Sequence, residues 1–315
     1  MSEFKTCNKT YVKSNNSIKR INLNYVYSLL FIVLYYLIYN YIRYSELIIG
    51  IKSIISAILC ILLWWMMNSK KKILEIIIDD NILSISLILS LLFYKYSYNA
   101  LGVAIVSTLG FKKIYKNIEL SSVLIGLLVG YIYVFFFEYP IATLEIESWM
   151  DNIICLLRGD FYISSIVSLI AFLYLFNKKS IKYNLFISYV LTVTLITLMY
   201  SLFDSLGLEY FLITILSSNI IFYAVYILCD SKRSPIIAEG QILYGIVMGI
   251  ISSILLNINP FIGIIIVLML GVFVISKRID NFSINMRYNN RLRKIVMIVS
   301  GGLIPLTSIL LTILK

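Results

Sequence analysis

Histidine is absent from this 315-residue chain, proline occurs four times and glycine fourteen. Without histidine there is no Ser-His or Cys-His nucleophile, no His-ligated zinc and no His-held haem. The glutamate-histidine chemistry of intramembrane CAAX-type proteases is excluded for the same reason. No G-x-x-x-x-G-K-[ST] or G-x-G-x-x-G phosphate loop appears. Asp79-Asp80 lacks the third aspartate of a prenyl-transferase motif and reads as interfacial carboxylates at a helix start. The four cysteines (Cys7, Cys60, Cys155, Cys229) show no C-x-x-C spacing, so neither a disulfide framework nor a metal site follows from them.

What the chain has in excess is apolar surface. Sixty per cent of its residues are hydrophobic and 14% are charged, with a mean hydropathy of +0.92. A soluble domain is about 45–50% apolar and about a quarter charged. A chain of this composition cannot clothe itself in polar side chains, so lipid is its solvent. The scarcity of proline leaves long helices uninterrupted. The reading is an all-α polytopic membrane protein.

A bilayer core about 30 Å thick takes roughly 20 apolar residues per helix. On that measure spans are predicted near 22–42, 47–67, 81–95, 99–111, 121–138, 161–177, 184–204, 209–229, 241–257, 260–276 and 296–314, ten or eleven transmembrane helices in all. The two segments between 81 and 111 are short and read as half-spanning or broken helices. The polar, basic first twenty residues before a long apolar run predict a retained signal anchor. Residues 1–21 then form a cytoplasmic tail, 22–295 the membrane domain, and 296–315 an additional C-terminal helix.

Lysine and arginine set the direction. With the N-terminus inside, all but five of the 27 basic residues fall in cytoplasmic segments, the exceptions being Arg43, Lys52, Lys95, Arg158 and Lys315. Loops facing anionic lipid account for the net charge of +11 without any nucleic acid. Lys52 is read as snorkelling to the outer interface, with a counter-ion between helices as its alternative. Gly245 and Gly249 form a G-x-x-x-G pattern suited to close packing within the chain. The outer segment 139–160 is acidic, with Glu145, Glu147, Asp151 and Asp160, and Ile146–Ile154 fits a short interfacial helix.

One stretch is more specific. Cys229-Asp230-Ser231-Lys232-Arg233-Ser234-Pro235, followed by Glu239-Gly240-Gln241-Ile242-Leu243-Tyr244-Gly245, resembles the hallmark of the RnfD/NqrB family. There a helix ends in a Thr-Asp pair, and a Ser-Pro step and Gly-Gln-x-x-Tyr-Gly open the next. Phe186–Thr194 is similar to that family's Ser-Tyr-x-x-Thr-Val stretch, and Asn259-Pro260 and Arg278-Ile279-Asp280 fit downstream.

The resemblance implies two urea-transporter-like inverted repeats and a membrane subunit of an ion-translocating electron-transport complex. It implies partner subunits for NADH oxidation and iron–sulfur centres, and a bacterial cytoplasmic membrane as location. It also implies FMN esterified to a threonine within a Ser-Gly-Ala-Thr type motif. Tyr139-Pro140-Ile141-Ala142-Thr143-Leu144 falls at that place, which makes Ala142 and Thr143 candidate cofactor-binding residues. Asp230 and Ser234 join them, and a second, non-covalent flavin is a further implication.

From the residues alone, Thr143 also reads as an N-cap before Leu144 and Glu145. Asp230 also reads as a helix-end residue balanced by Lys232 and Arg233. Two rival functions stay open at this point. One is a flavin-free channel or carrier lined by groups such as Ser217, Ser218 and Asn219. The other is an unrelated membrane enzyme or scaffold for lipid-linked substrates.

Overall fold

The computed structural model describes residues 18–44, 48–68, 73–78, 80–114, 122–137, 163–204, 207–217, 219–229, 234–258, 279, 282–283, 296, 299, 302–309 and 311. Among these residues every regular element is helical. Helix α1 (Ile18–Tyr44) begins with Lys19 and Arg20 and runs away from them; that end of the bundle is called the basic end. Helix α2 (Ile48–Met67) returns, and α3 (Ile73–Ile78) is a single short turn at the basic end. Among the described residues, three helices are long and apolar enough to cross a membrane by length and composition: residues 19–42, 50–67 and 183–203.

Helix α4 (Ile82–Leu92) runs back from the basic end, beside α2. Its direction is fixed at both ends. Asp80 accepts the indole N–H of Trp64 at 2.7 Å near one end of α2, and Lys52 near the other end reaches the carbonyls of Tyr94 and Tyr96. Helix α5 (Tyr98–Ile114) returns to the basic end, where the Lys112 ammonium donates to the Asp80 carbonyl. Helix α6 (Ser122–Phe137) packs antiparallel on α5. A Cβ added to Gly126 would sit 1.7 Å from Thr108 Oγ1, so the two helices meet backbone to side chain.

The second half repeats this order with every direction reversed. Helix α7 (Ser165–Asn177) runs toward the basic end against α1: the Ser164 N–H donates to the Tyr36 hydroxyl, and Asn24 Nδ2 donates to Ser180 Oγ at 2.7 Å. Helix α8 (Tyr183–Phe203) leaves the basic end, and α9 (Gly207–Ser217) follows it, with Tyr210 against Tyr200. Helix α10 (Ile220–Tyr223) runs on into a π-helical turn, Ala224–Leu228, heading back to the basic end. Helix α11 (Ala238–Ile258) then lies parallel to α8, with Gly245 over Leu185 and Ser188 and Gly249 over Tyr189 and Thr192. So α1, α2, α4 and α5 correspond to α7, α8, α10 and α11 with inverted direction, and α1 packs on α7 at the junction.

Burial follows the rules of a lipid-solvated bundle. On α7 the exposed stripe Ile166, Leu169, Ile170, Leu173 and Phe176 is as apolar as the buried face, which holds Ser168 and Ala171. Lipid rewards no apolar burial, so small residues that let backbones approach are what favour the inner face. Residues 302–309 are helical, within the additional C-terminal span expected at 296–314. The predicted span 260–276 and the acidic outer segment lie outside the described residues.

Two sequence expectations are corrected here. The span predicted as one helix over 209–229 is two, α9 and α10, broken before Asn219, whose backbone turns left-handed. Lys52 does not snorkel to the interface: it is 5% exposed and bound to backbone carbonyls inside the bundle.

Candidate functional site

The interior is organised around the two short helices. At 1.5 Å per residue, the eleven residues of α4 extend about 16 Å, roughly half of a bilayer core. All of α4 except Leu83 is buried, as is everything from Asn219 to Cys229. The ends of buried helices leave backbone groups without partners inside the helix, so the surrounding protein must supply them.

It does so in matching ways. Each short helix starts after an asparagine in the left-handed region, Asn81 at φ 55° and Asn219 at φ 53°. Asparagine adopts this geometry more readily than other non-glycine residues because its short amide can bond locally. Asn81 Oδ1 accepts the Ser84 hydroxyl at 2.6 Å, and Asn219 Oδ1 accepts the Ile163 N–H at 2.8 Å. The serines buried along α4 bond to their own helix: Ser86 to the Leu83 carbonyl at 2.8 Å and Ser90 to that of Leu87 at 3.0 Å.

The far ends are held by lysines. Lys52 Nζ donates to the carbonyls of Tyr94 (2.6 Å) and Tyr96 (2.5 Å) just past α4, and lies 5.0 Å from the ring centroid of Tyr98. Past α10, Lys182 Nζ donates to the Ser234 carbonyl at 2.7 Å. The π-helical turn closes with Cys229 N–H on the Ala224 carbonyl at 3.1 Å, and the Cys229 carbonyl accepts the Tyr25 hydroxyl at 3.4 Å. The Tyr226 hydroxyl donates to Ser28 Oγ at 3.0 Å, tying α10 to α1. A cation near the last carbonyls of a helix also answers the negative end of its dipole.

A second polar cluster sits at the basic end of the first half. Lys112 lies 5.1 Å from the Trp64 ring centroid, and Lys113 donates to the Met67 carbonyl and to Asn68 Oδ1 at 3.1 Å. Among the described residues no group of three His, Cys, Asp or Glu side chains could hold a metal ion.

Of the residues singled out from sequence, Ser234 is buried at the basic end, where it precedes α11. A Cβ on nearby Gly240 would lie 2.9 Å from Ser283 Oγ and 3.4 Å from Pro235 Cβ, so the start of α11 is closely packed. Ala142, Thr143 and Asp230 lie outside the described residues. The segment carrying Thr143 joins Phe137 to Ile163, both at the end of the bundle remote from the basic one. Gly245 and Gly249 pack against α8 as their spacing suggests. Sequence reasoning missed Asn81, the Lys182 contact and the break at Asn219. The available signal was a polar Ser217-Ser218-Asn219 step between two apolar runs.

Two halves of opposite direction, each with a short buried helix, are the plan of inverted-repeat membrane proteins. Residues 113–289 match the model of the NQR2, RnfD, RnfE family. More than half of the chain is covered, and the protein belongs to that family. Membership supports a subunit of a multi-subunit membrane complex of the Rnf/Nqr type, concerned with electron and ion transport. No curated protein matches the chain.

Proposed function

We propose that this protein is the D-type membrane subunit of an Rnf/Nqr-type complex of the bacterial cytoplasmic membrane. It relays electrons through FMN on the outer side, coupled to movement of sodium ions or protons. The observation that carries the reading is the family match over residues 113–289, which takes in Thr143, Asp230, Ser234 and the Tyr244-Gly245 step.

In this reading the Thr143 hydroxyl holds FMN as an ester, with Ala142 preceding it, and bound FMN supplies the electron-accepting chemistry. The residues of the chain position it. Lys19, Arg20, Lys112, Lys113, Lys178, Lys179 and Lys182 lie on elements that end or start at one end of the bundle, which supports that end as cytoplasmic. Phe137 and Ile163 then present the segment carrying Thr143 from the outer side. Asp230 and Ser234 are the further candidate cofactor contacts, and Ser234 lies buried just before α11. Partner subunits supply NADH oxidation and iron–sulfur centres, for which this chain carries no motif.

The test is in-gel flavin fluorescence under denaturing conditions, on protein expressed with a flavin transferase. Fluorescence that stays with the wild-type band and is lost in Thr143→Val supports the reading. If both bands are dark while a control substrate of the same transferase is labelled, covalent flavin is ruled out and a flavin-free transport module takes its place.

A further inference from the structure

Lys52 stands one turn into α2 and is buried, an expensive place for an ammonium group unless something there is built for a cation. Three of its neighbours answer that description. Two are the carbonyl oxygens of Tyr94 and Tyr96, at 2.6 and 2.5 Å, and the third is the face of the Tyr98 ring, 5.0 Å away. The carbonyls belong to the short turn between α4 and α5, just past the negative end of the α4 dipole. Carbonyls freed at the C-terminal end of a broken helix form a donor set that takes small monovalent cations, and an aromatic face adds to it.

We propose that the ammonium of Lys52 is the tethered occupant of a monovalent-cation site formed by the Tyr94 and Tyr96 carbonyls and the Tyr98 ring, and that the emptied site takes small ammonium ions from solution. The inverted half supplies an independent parallel. Lys182, at the start of α8, donates to the Ser234 carbonyl in the chain leaving α10, as Lys52 near the start of α2 does for the chain leaving α4. Both halves therefore place a lysine from their second helix on the segment that follows their short helix, at opposite ends of the bundle. A cation carried on the chain does not exchange, so it fixes the end of α4 whatever the ions outside.

The experiment is thermal unfolding of the full-length protein in nanodiscs, in choline chloride or methylammonium chloride at matched ionic strength. Wild type should melt at the same temperature in both salts. Lys52→Ala should melt lower by more than about 3 °C in choline, with at least half of the loss recovered, saturably, by methylammonium. Lys52→Met, which keeps the stem and fills the space, should lose stability without recovery. Wild-type melting in Lys52→Ala, or a loss that the two salts leave equal, would overturn the proposal. If Lys52→Ala yields no folded protein, Lys52→Gln decides: it keeps N–H donors without charge and should melt lower than wild type, and unchanged melting would overturn the proposal. The readout involves no flavin, so it is separable from the redox reading.

Discussion

Asn81 and Asn219 hold nearly the same left-handed backbone geometry, φ 55° and 53°, at the starts of two buried helices that run in opposite directions through the bundle. The geometry is shared, but the side chains do different work. Asn81 bonds within its own turn, to Ser84, while Asn219 reaches across to the backbone of Ile163.

Glycine keeps the left-handed geometry at no steric cost, and alanine does not. Asn81→Gly keeps the turn and leaves the Ser84 hydroxyl free to rotate onto its own helix, so it should lose less than about 1 kcal/mol, and Asn81→Ala should lose about 1–2 kcal/mol more. Asn219→Gly should lose about 1–3 kcal/mol, because it leaves a buried N–H unsatisfied. Melting curves of the four proteins in nanodiscs test the order. Equal loss from both glycine variants would contradict the division of roles.

Tyr36→Phe removes the hydroxyl that accepts the Ser164 N–H at the start of α7. The expected cost is about 1–3 kcal/mol for an orphaned buried donor. Faster hydrogen exchange at the first amides of α7, with α8 unchanged, is the local signature.

Gly126→Leu and Gly245→Leu should each strip folded protein from the membrane fraction. A Cβ at these positions would come within 2 Å of Thr108 Oγ1 and Ser188 Oγ, respectively. Overpacking of this kind costs about 1–3 kcal/mol or more. Gly102→Ala, with nothing within 4 Å of its added Cβ, should be neutral. Fluorescence-detected size exclusion of tagged proteins separates the outcomes.

Orientation can be read with a membrane-impermeant thiol reagent on a cysteine-free background. Lys179→Cys, at an exposed position of the basic end, should label only after the cells are opened. Phe137→Cys, exposed at the other end, should label in intact cells. The opposite pattern would place the N-terminus outside.

The spans were legible in the sequence because lipid enforces their length: α1, α2, α8 and α11 fall within a few residues of the expected bounds. The shortness of α4 was legible for the same reason. The break at Asn219 was not, because hydropathy averages over a three-residue polar step. Lys52 was misread because its stem is long enough to reach an interface, and only the fold brings the Tyr94 and Tyr96 carbonyls beneath it. The packing of Gly245 could be read from spacing. That of Gly126 and Gly130 needed the neighbouring helix, since Thr108 and Ala104 lie on it. Thr143, Ala142 and Asp230 rest on motif resemblance and family membership, where chemistry is set by a few residues and not by periodicity.

The brevity of α4 and α10 also bears on how the chain is made. A segment of eleven or fewer residues is too short to be retained in the bilayer by its own apolarity. Each must enter with its neighbours and settle between them afterwards. The contacts that settle α10, Tyr226 with Ser28 and Tyr25 with Cys229, join residues some two hundred positions apart. Until the ribosome has delivered α10, Ser28 has only the bond to the Tyr25 carbonyl within its own helix. Lesions at this seam should therefore give chains that insert normally and are then cleared by membrane proteases during biogenesis.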